Sequence, residues 1–397
     1  MNKIFTYISN NSLILLISLI FLIEFLATLY LGFTLNPKTR LVGIYKVIFI
    51  ILLGFYFRPS KLNKYYLYLL IVPLLLFLIN QFLLNPILKE NLKSNIFKGS
   101  IYYCYKFIYI FVFIIIFNTI ENRKIVAIKS LKIIEYILFL NAFLIVIGSF
   151  LDIELLASYS NSNRFGSDGL FNKVNEVSYL YMIYIGSLYL NYIRSKSGLL
   201  KLIFIVFISF LLGTKTIILF LALLLIGHIF IVANVNRKLK LIMGLILTFI
   251  IIYFKKIALF YFKIVPFWNK LLDDYSIISL LFSKRDLLLE KNLNYIDNNW
   301  QNLNYLIGGS YYTSKFEITQ MDGPDLFLFF GLVGLIVYLI LFFKVFLIRE
   351  EKIIYNLVLF IIFICGILSG GLLLSVMATV YLYLLKIKMQ NRNLNYD

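Results

Sequence analysis

Hydrophobic positions in this chain come in long blocks and not at the spacing of an amphipathic stripe. From Leu13 to Tyr30, from Tyr65 to Leu84 and from Phe107 to Ile120 the sequence is apolar on every helical face, over lengths close to the roughly 20 residues that cross a hydrocarbon layer. The first block follows the short charged start Met1 to Asn11. It outruns a signal-peptide core and lacks a small-residue cleavage pattern, so it reads as a retained anchor. An apolar window along the chain predicts about twelve spans, near 12–33, 41–57, 65–84, 101–120, 133–151, 174–193, 198–212, 216–234, 241–254, 325–346, 353–369 and 371–386. Two pairs need tight turns: Gly213, Thr214 and Lys215 separate one, and Gly370 alone separates the other.

Composition strengthens this picture. Hydrophobic residues make up 61% and charged residues 14% of the 397, and the mean hydropathy is +0.91, more apolar surface than a soluble core of this size needs. The predicted fold is therefore all-α, a polytopic transmembrane bundle forming one integral membrane domain over 1–397.

The net charge of +19 sits where insertion would place it. Arg58, Lys61 and Lys64 share one short loop; Arg123, Lys124, Lys129 and Lys132 another; Arg194, Lys196 and Lys201 a third. Arg237, Lys238 and Lys240 follow, then Lys344, Arg349 and Lys352, and last Lys386, Lys388 and Arg392. With twelve spans all six clusters fall on one side, which the positive-inside rule makes cytoplasmic, together with both termini. The basic residues are thus a topology signal and call for no nucleic acid. The one long connection, a partly helical segment over 255–324, then lies on the extracytoplasmic side. No GxxxxGK[ST] phosphate loop occurs, and the inner loops are too short for a nucleotide-using domain, so energy for a reaction must arrive in the substrate. Cys104 and Cys365 lie within spans and far apart in sequence, with no metal or disulfide pattern. The single histidine, His228, also lies in a span and reads as a packing residue.

Candidate chemistry collects in the outer connections. The segment NRFGSDGLFNKVNEVS, Asn163 to Ser178, is a Gly-rich turn entering a helix. Amides near Gly166 and Gly169, with Arg164 and Lys173, suit an anion at a helix start, and Asn172 and Asn175 would share the first turn at i and i+3. An ordinary polar connector with a helix cap explains the same pattern. In the long segment, Lys255, Lys256, Lys263 and Trp268 among aromatic and aliphatic residues suit a helix in the headgroup layer. KRDLLLEKNLNYIDNNW, Lys284 to Trp300, predicts a short helix with Arg285 near its start, placed for a phosphate or diphosphate or for an ion pair with Asp286 or Glu290. The turn IGGSYY brings Tyr311, a candidate substrate contact, and EITQMDGPDLFLFFGLVG brings Glu317, Asp322 and Asp325 to a helix start. There they serve as caps, or one acts as general base.

These motifs in this order, the Arg-Phe-Gly turn before Asn-x-x-Asn, the LLGTKTIILFLALLL helix, Arg285 ahead of a Trp and a Gly-Gly turn, and the acidic approach to GLVG, resemble the O-antigen polymerase and ligase superfamily, the Wzy-type membrane glycosyltransferases. The similarity covers about Arg164 to Gly334. It implies a metal-independent, cofactor-free enzyme at the outer face of a bacterial cytoplasmic membrane that moves a glycan from undecaprenyl diphosphate to an acceptor hydroxyl. By that resemblance Arg164 and Arg285 hold the diphosphate as it leaves; Asp322 or Asp325, from the chemistry of its position and not from the resemblance, is the candidate base. Asn172, Lys173, Asn175, Lys215, Tyr311 and Glu317 bind substrate, Lys215 standing where relatives often carry Arg. The ligase branch has a histidine before the helix that here begins near Asp325, and its absence favours a polymerase, which works with a chain-length partner. A lipid-linked oligosaccharide flippase is the rival of another class; its intramembrane charges would be Glu24, Lys46, Lys106 and Glu135. A dolichol-type metal-dependent transferase would want acids in the first outer loop, where NPKTR, Asn36 to Arg40, has none.

Overall fold

The computed structural model describes residues 2–34, 41–62, 64–84, 93–159, 165–171, 173–233, 236–264, 266–309, 318–348 and 353–390. Helix accounts for 82% of the structure, with no strand among the described residues. The elements are α1 (Asn2–Thr34), α2 (Leu41–Gly54), α3 (Lys64–Leu84), α4 (Lys93–Asn118), α5 (Arg123–Leu151), α6 (Val174–Ser195), α7 (Leu199–Leu211), α8 (Lys215–Gly227), α9 (Arg237–Ile252), α10 (Phe254–Ile264), α11 (Pro266–Leu271), α12 (Ile277–Leu281), α13 (Arg285–Asn299), α14 (Asn302–Ile307), α15 (Asp322–Phe346), α16 (Ile353–Ser369) and α17 (Val376–Gln390).

Each of the twelve apolar stretches coincides with one of these helices, with corrections at their ends. Helices α1, α4 and α5 begin eight to ten residues earlier than the apolar windows over 12–33, 101–120 and 133–151, because a window finds hydrocarbon length whereas a helix continues into its polar approach. The last connection is not Gly370 alone: residues 370–375 are non-helical and α17 starts at Val376.

Arg123–Leu151, Lys215–Val232 and Asp322–Phe346 are long and apolar enough to cross a membrane. Their surfaces agree with that use. On α5 the buried stripe holds Ile134, Leu138, Asn141 and Ile145, while Tyr136, Leu140, Phe143 and Ile147 point outward. The outward face is as apolar as the inward one, and the buried face carries the polar Asn141, the reverse of a water-facing helix. This is the surface of a membrane protein.

Helix α6 runs through the centre, buried from Glu176 to Leu190. Lipid tails give apolar helices little reason to associate, so close packing and interhelical hydrogen bonds must hold them. The many tyrosines supply such bonds: Tyr181 donates to the Leu138 carbonyl at 3.0 Å, Tyr179 to Cys365 at 3.1 Å, and Tyr338 to Phe107 at 3.1 Å. His228 Nδ1 lies 2.8 Å from the Tyr189 hydroxyl, a packing role as its position in the chain predicts. Cys104 and Cys365 are buried free thiols.

Helix α15 is broken inside its apolar run. Gly331 takes φ 70° and ψ −174°, a conformation open almost solely to glycine. The break is filled by α14, whose end packs against it, and by the buried Asn80 of α3. Its side-chain amide donates to the Phe329 carbonyl at 2.8 Å and to the Ile307 carbonyl at 3.4 Å. A carbonyl released within a membrane-length helix needs such a donor.

Polar contacts sort the connections into two ends. At the basic end Arg58 and Lys61 pair with Glu121, and Tyr383 of α17 donates to Asn118 at 2.8 Å. At the opposite, distal end Ser167 meets Leu211, Lys215 meets Leu280, and Asp322 meets Gly371 and Leu373.

Candidate functional site

The candidate residues are positioned by three features of the distal end. In the first, the chain after α5 folds back along that helix. The Ser158 amide donates to Gly166, Ser167 to Leu211, and Asp168 to Leu156, while Asn141 of α5 accepts from the Leu170 amide at 2.9 Å and donates to the Asp168 carbonyl at 3.1 Å. A Cβ at Gly169 would lie 2.2 Å from Asn141 Oδ1, so only glycine fits against that amide. Of the two readings of this turn, an anion cradle or a polar connector, three amides are taken up by the fold as a connector's would be. The amides of Ser167, Asp168 and Leu170 are used inside the bundle because a buried backbone must satisfy itself. Lys173, just before α6, is exposed, as is Phe165. Asn175 lies in the first turn as expected, whereas Arg164 and Asn172 lie outside the described residues.

Asp168 is a buried acid in this segment. Burial, opposed by its own backbone amide, raises its carboxyl from 3.8 to about 7. The folded protein therefore holds this proton more tightly than the unfolded chain. The stability tied to it is complete below the ordinary Asp value and is lost as pH rises through about 7. The gap corresponds to roughly 4 kcal/mol at most. The residue's structural bonds are made by its main chain, so Asp168→Asn is expected to fold. It should lose less stability than the native protein between about pH 5 and pH 8, as read by thermal unfolding in detergent. Parallel pH profiles for the two proteins would disprove the assignment.

The second feature is the turn between α16 and α17, held by carboxylates from two other helices. Both oxygens of the buried Asp322 are occupied, accepting from the Gly371 amide at 2.7 Å and the Leu373 amide at 2.9 Å. Glu176 accepts from the Ser375 hydroxyl at 2.5 Å. Tyr179 Oη lies 2.8 Å from Ser369 Oγ, and a Cβ on Gly370 would lie 1.9 Å from the Gln320 carbonyl. Behind Glu176 lies a buried ion pair: Lys46 Nζ is 2.7 Å from Glu24 and 3.9 Å from Glu176, which is itself 3.9 Å from Lys173. The two acids at the head of α15 thus differ. Asp322 is a structural clamp. Asp325 uses one oxygen, Oδ1, to accept from the Thr319 amide at 2.7 Å and hydroxyl at 2.8 Å, while its buried Oδ2 has no hydrogen-bond partner among the described residues.

The third feature is the segment after α9. Helix α10 exposes Phe254, Ile257, Phe260 and Ile264 beside Lys255, Lys256 and Lys263, the mixture expected of a headgroup-layer helix. Its buried side, Ala258 and Phe262, packs on Trp268 and Leu280. Lys215 enters this cluster: its ammonium lies 3.7 Å from the Trp268 ring centroid and donates to the Leu280 carbonyl. It ties the α7–α8 turn to the segment after α9. Arg285 is buried at the start of α13, and both Arg285 and Asp322 lie within electrostatic reach of the Tyr179 hydroxyl. Tyr311 and Glu317 lie outside the described residues.

Of the predicted residues, the structure brings Lys173, Asn175, Lys215, Arg285, Asp322 and Asp325 to one end of the bundle. Sequence reading placed a tight turn at Gly370 but missed its extent to Ser375 and its hold by Asp322 and Glu176, and it missed the coupling of Glu24 and Lys46 to Glu176. The paired glycines were a signal for the turn; the coupling joins three helices and leaves no trace in local pattern. Comparison with protein-family models, with curated proteins and with solved structures finds no match to this chain.

Proposed function

We propose that this chain is a membrane glycosyltransferase that polymerises undecaprenyl-diphosphate-linked oligosaccharide repeat units into O-antigen, capsule or a related surface polysaccharide. The chain crosses the bacterial cytoplasmic membrane twelve times, the basic end lies in the cytoplasm with both termini, and the distal end with its segment over 255–324 lies outside. The observation that carries the reading is the gathering at that distal end of buried Arg285, outward Lys173 and Asp325, whose Oδ2 has no hydrogen-bond partner among the described residues. Cations and a carboxylate base are the two parts that transfer from a lipid diphosphate requires.

In this reading the acceptor hydroxyl attacks the anomeric carbon of the donor glycan. The new glycosidic C–O bond forms as the bond to the diphosphate breaks, and Asp325 takes the hydroxyl proton. Arg285 and Lys173 bear the charge of the departing undecaprenyl diphosphate, Arg164 with them. Asp322 is assigned to structure, since both its oxygens are held by backbone amides. No metal or cofactor enters the scheme. Both substrates are lipid-linked, so the membrane concentrates them, and a chain-length regulator is the expected partner.

A transporter of lipid-linked oligosaccharide is the second reading, favoured by the buried Glu24–Lys46 pair. One experiment separates the two. Arg285→Ala and Asp325→Asn are made in the producing cell, membrane abundance is confirmed, and surface glycans are resolved by gel. Polymerisation predicts loss of the long-chain ladder with single repeats retained, from a decrease in transfer of about 100-fold or more. Loss of single repeats as well would favour the transporter, and an unchanged ladder at normal abundance would refute the assigned roles.

A further inference from the structure

We infer that Glu176 is a resident counter-ion for Lys173, and that Lys46 sets how strongly it holds that lysine against an incoming diphosphate headgroup. The inference rests on the reading of the distal end as a lipid-diphosphate site. It assigns positioning roles to Glu176 and Lys46, which lie beneath the residues that would meet substrate.

The geometry is a chain of alternating charge running from the bundle interior to its surface. Glu24 on α1 is 2.7 Å from Lys46 on α2, Lys46 is 3.9 Å from Glu176 Oε1, and Glu176 Oε2 is 3.9 Å from Lys173 Nζ. The first three side chains are buried, and Lys173, with 58% of its side chain exposed, is the outward member. Lys106 also acts electrostatically on Glu176. Glu176 cannot rotate away, because Oε1 accepts from the Ser375 hydroxyl at 2.5 Å, and Ser375 Oγ in turn accepts from the Ala378 amide at 3.1 Å to cap α17. A carboxylate fixed in this way, desolvated and in the first turn of α6, is a stronger electrostatic partner than one in water.

A phosphate oxygen arriving beside Lys173 must compete with Glu176 for the same ammonium. Lys46 weakens the competitor by neutralising Glu176 from behind, and Glu24 holds Lys46 in place. The signs of two substitutions follow. Glu176→Gln keeps a side-chain acceptor for Ser375 but removes the competing charge, so the headgroup should bind more tightly. Glu24→Gln with Lys46→Met removes the rear pair as a neutral unit, leaving no orphaned charge between them. Glu176 then pulls harder on Lys173, so binding should weaken, and adding Glu176→Gln to that double variant should restore it. A merely structural network would show no such rescue, since each further loss would add damage.

The test is equilibrium binding of undecaprenyl diphosphate to the full chain in lipid nanodiscs, with monodispersity and unfolding temperature recorded for every variant. Expected are about threefold tighter binding for Glu176→Gln, weakening of similar size for the Glu24→Gln/Lys46→Met pair, and recovery in the triple variant. Lys46→Arg, which keeps the charge, should bind as the native chain does. The inference is overturned if Glu176→Gln binds no more tightly than the native chain, or if the triple variant binds more weakly than the double. The native glycan ladder, scored against a gene deletion, tests the polymerase reading separately. A native chain that builds the ladder yet fails these binding predictions rejects the counter-ion role alone.

Discussion

Alanine at position 331 is expected to destabilise the protein by more than about 4 kcal/mol, well beyond the usual effect of adding one methyl group. Gly331 has φ 70° and ψ −174° inside α15, where a side chain costs roughly 1–3 kcal/mol of backbone strain. The added Cβ would also lie 2.4 Å from the backbone nitrogens of Gly308 and Ile307 and from the Leu306 carbonyl carbon, and none of these can turn aside as a side-chain tip does. One escape is for α15 to straighten through 331. That would expel α14 and strip Asn80 of its bonds to the Phe329 and Ile307 carbonyls. The check is thermal unfolding in detergent, with Trp300 fluorescence as a local reporter, because its ring lies 5.4 Å from Tyr305 of α14 and 5.8 Å from Phe327 of α15. Unfolding within a few degrees of the native chain would mean that the break is not required.

Lys46→Met alone is expected to be the second severe change, at about 3–5 kcal/mol, because it leaves two buried carboxylates without the cation between them. Glu24 and Glu176 are 2% and 5% exposed, so water cannot replace the ammonium. Adding Glu24→Gln should recover most of the loss, since a neutral pair of similar size avoids the desolvation that the lone charge suffers. The four proteins of this cycle, compared by unfolding temperature in the same detergent, measure the coupling directly. A single variant as stable as the native chain would show that the pair carries no stability.

Much of the architecture was legible because it depends on block length. A run such as Leu13 to Tyr30 has no polar face to turn to water whatever its neighbours are. The helical segment carrying Arg285 was also legible, from the run Lys284 to Trp300; it forms α13 from Arg285 to Asn299, with Asn292 and Ile296 buried beside Arg285. The division of labour between Asp322 and Asp325 was not. Both stand in the first turn of one helix, and what separates them is whether the amides of Gly371 and Leu373, about fifty positions away, occupy their oxygens. Nor was the fate of the Gly-rich turn. Its composition fits an anion cradle equally well until Leu156, Leu211 and Asn141 take up its amides.

By itself the sequence determined that this chain is all-helical, that its helices are apolar enough for a membrane, and that basic residues gather in alternate connections. These are properties of local hydrophobicity and charge, summed over a helix's own length. Only the tertiary structure decided that α15 breaks at Gly331, that Lys215 is held against Trp268, and that Glu24, Lys46, Glu176 and Lys173 form one line of charge. Each of these depends on groups brought together from distant parts of the chain. A buried charge or a freed carbonyl is tolerable only when its partner arrives in space, and the arrival of that partner is written in no single segment.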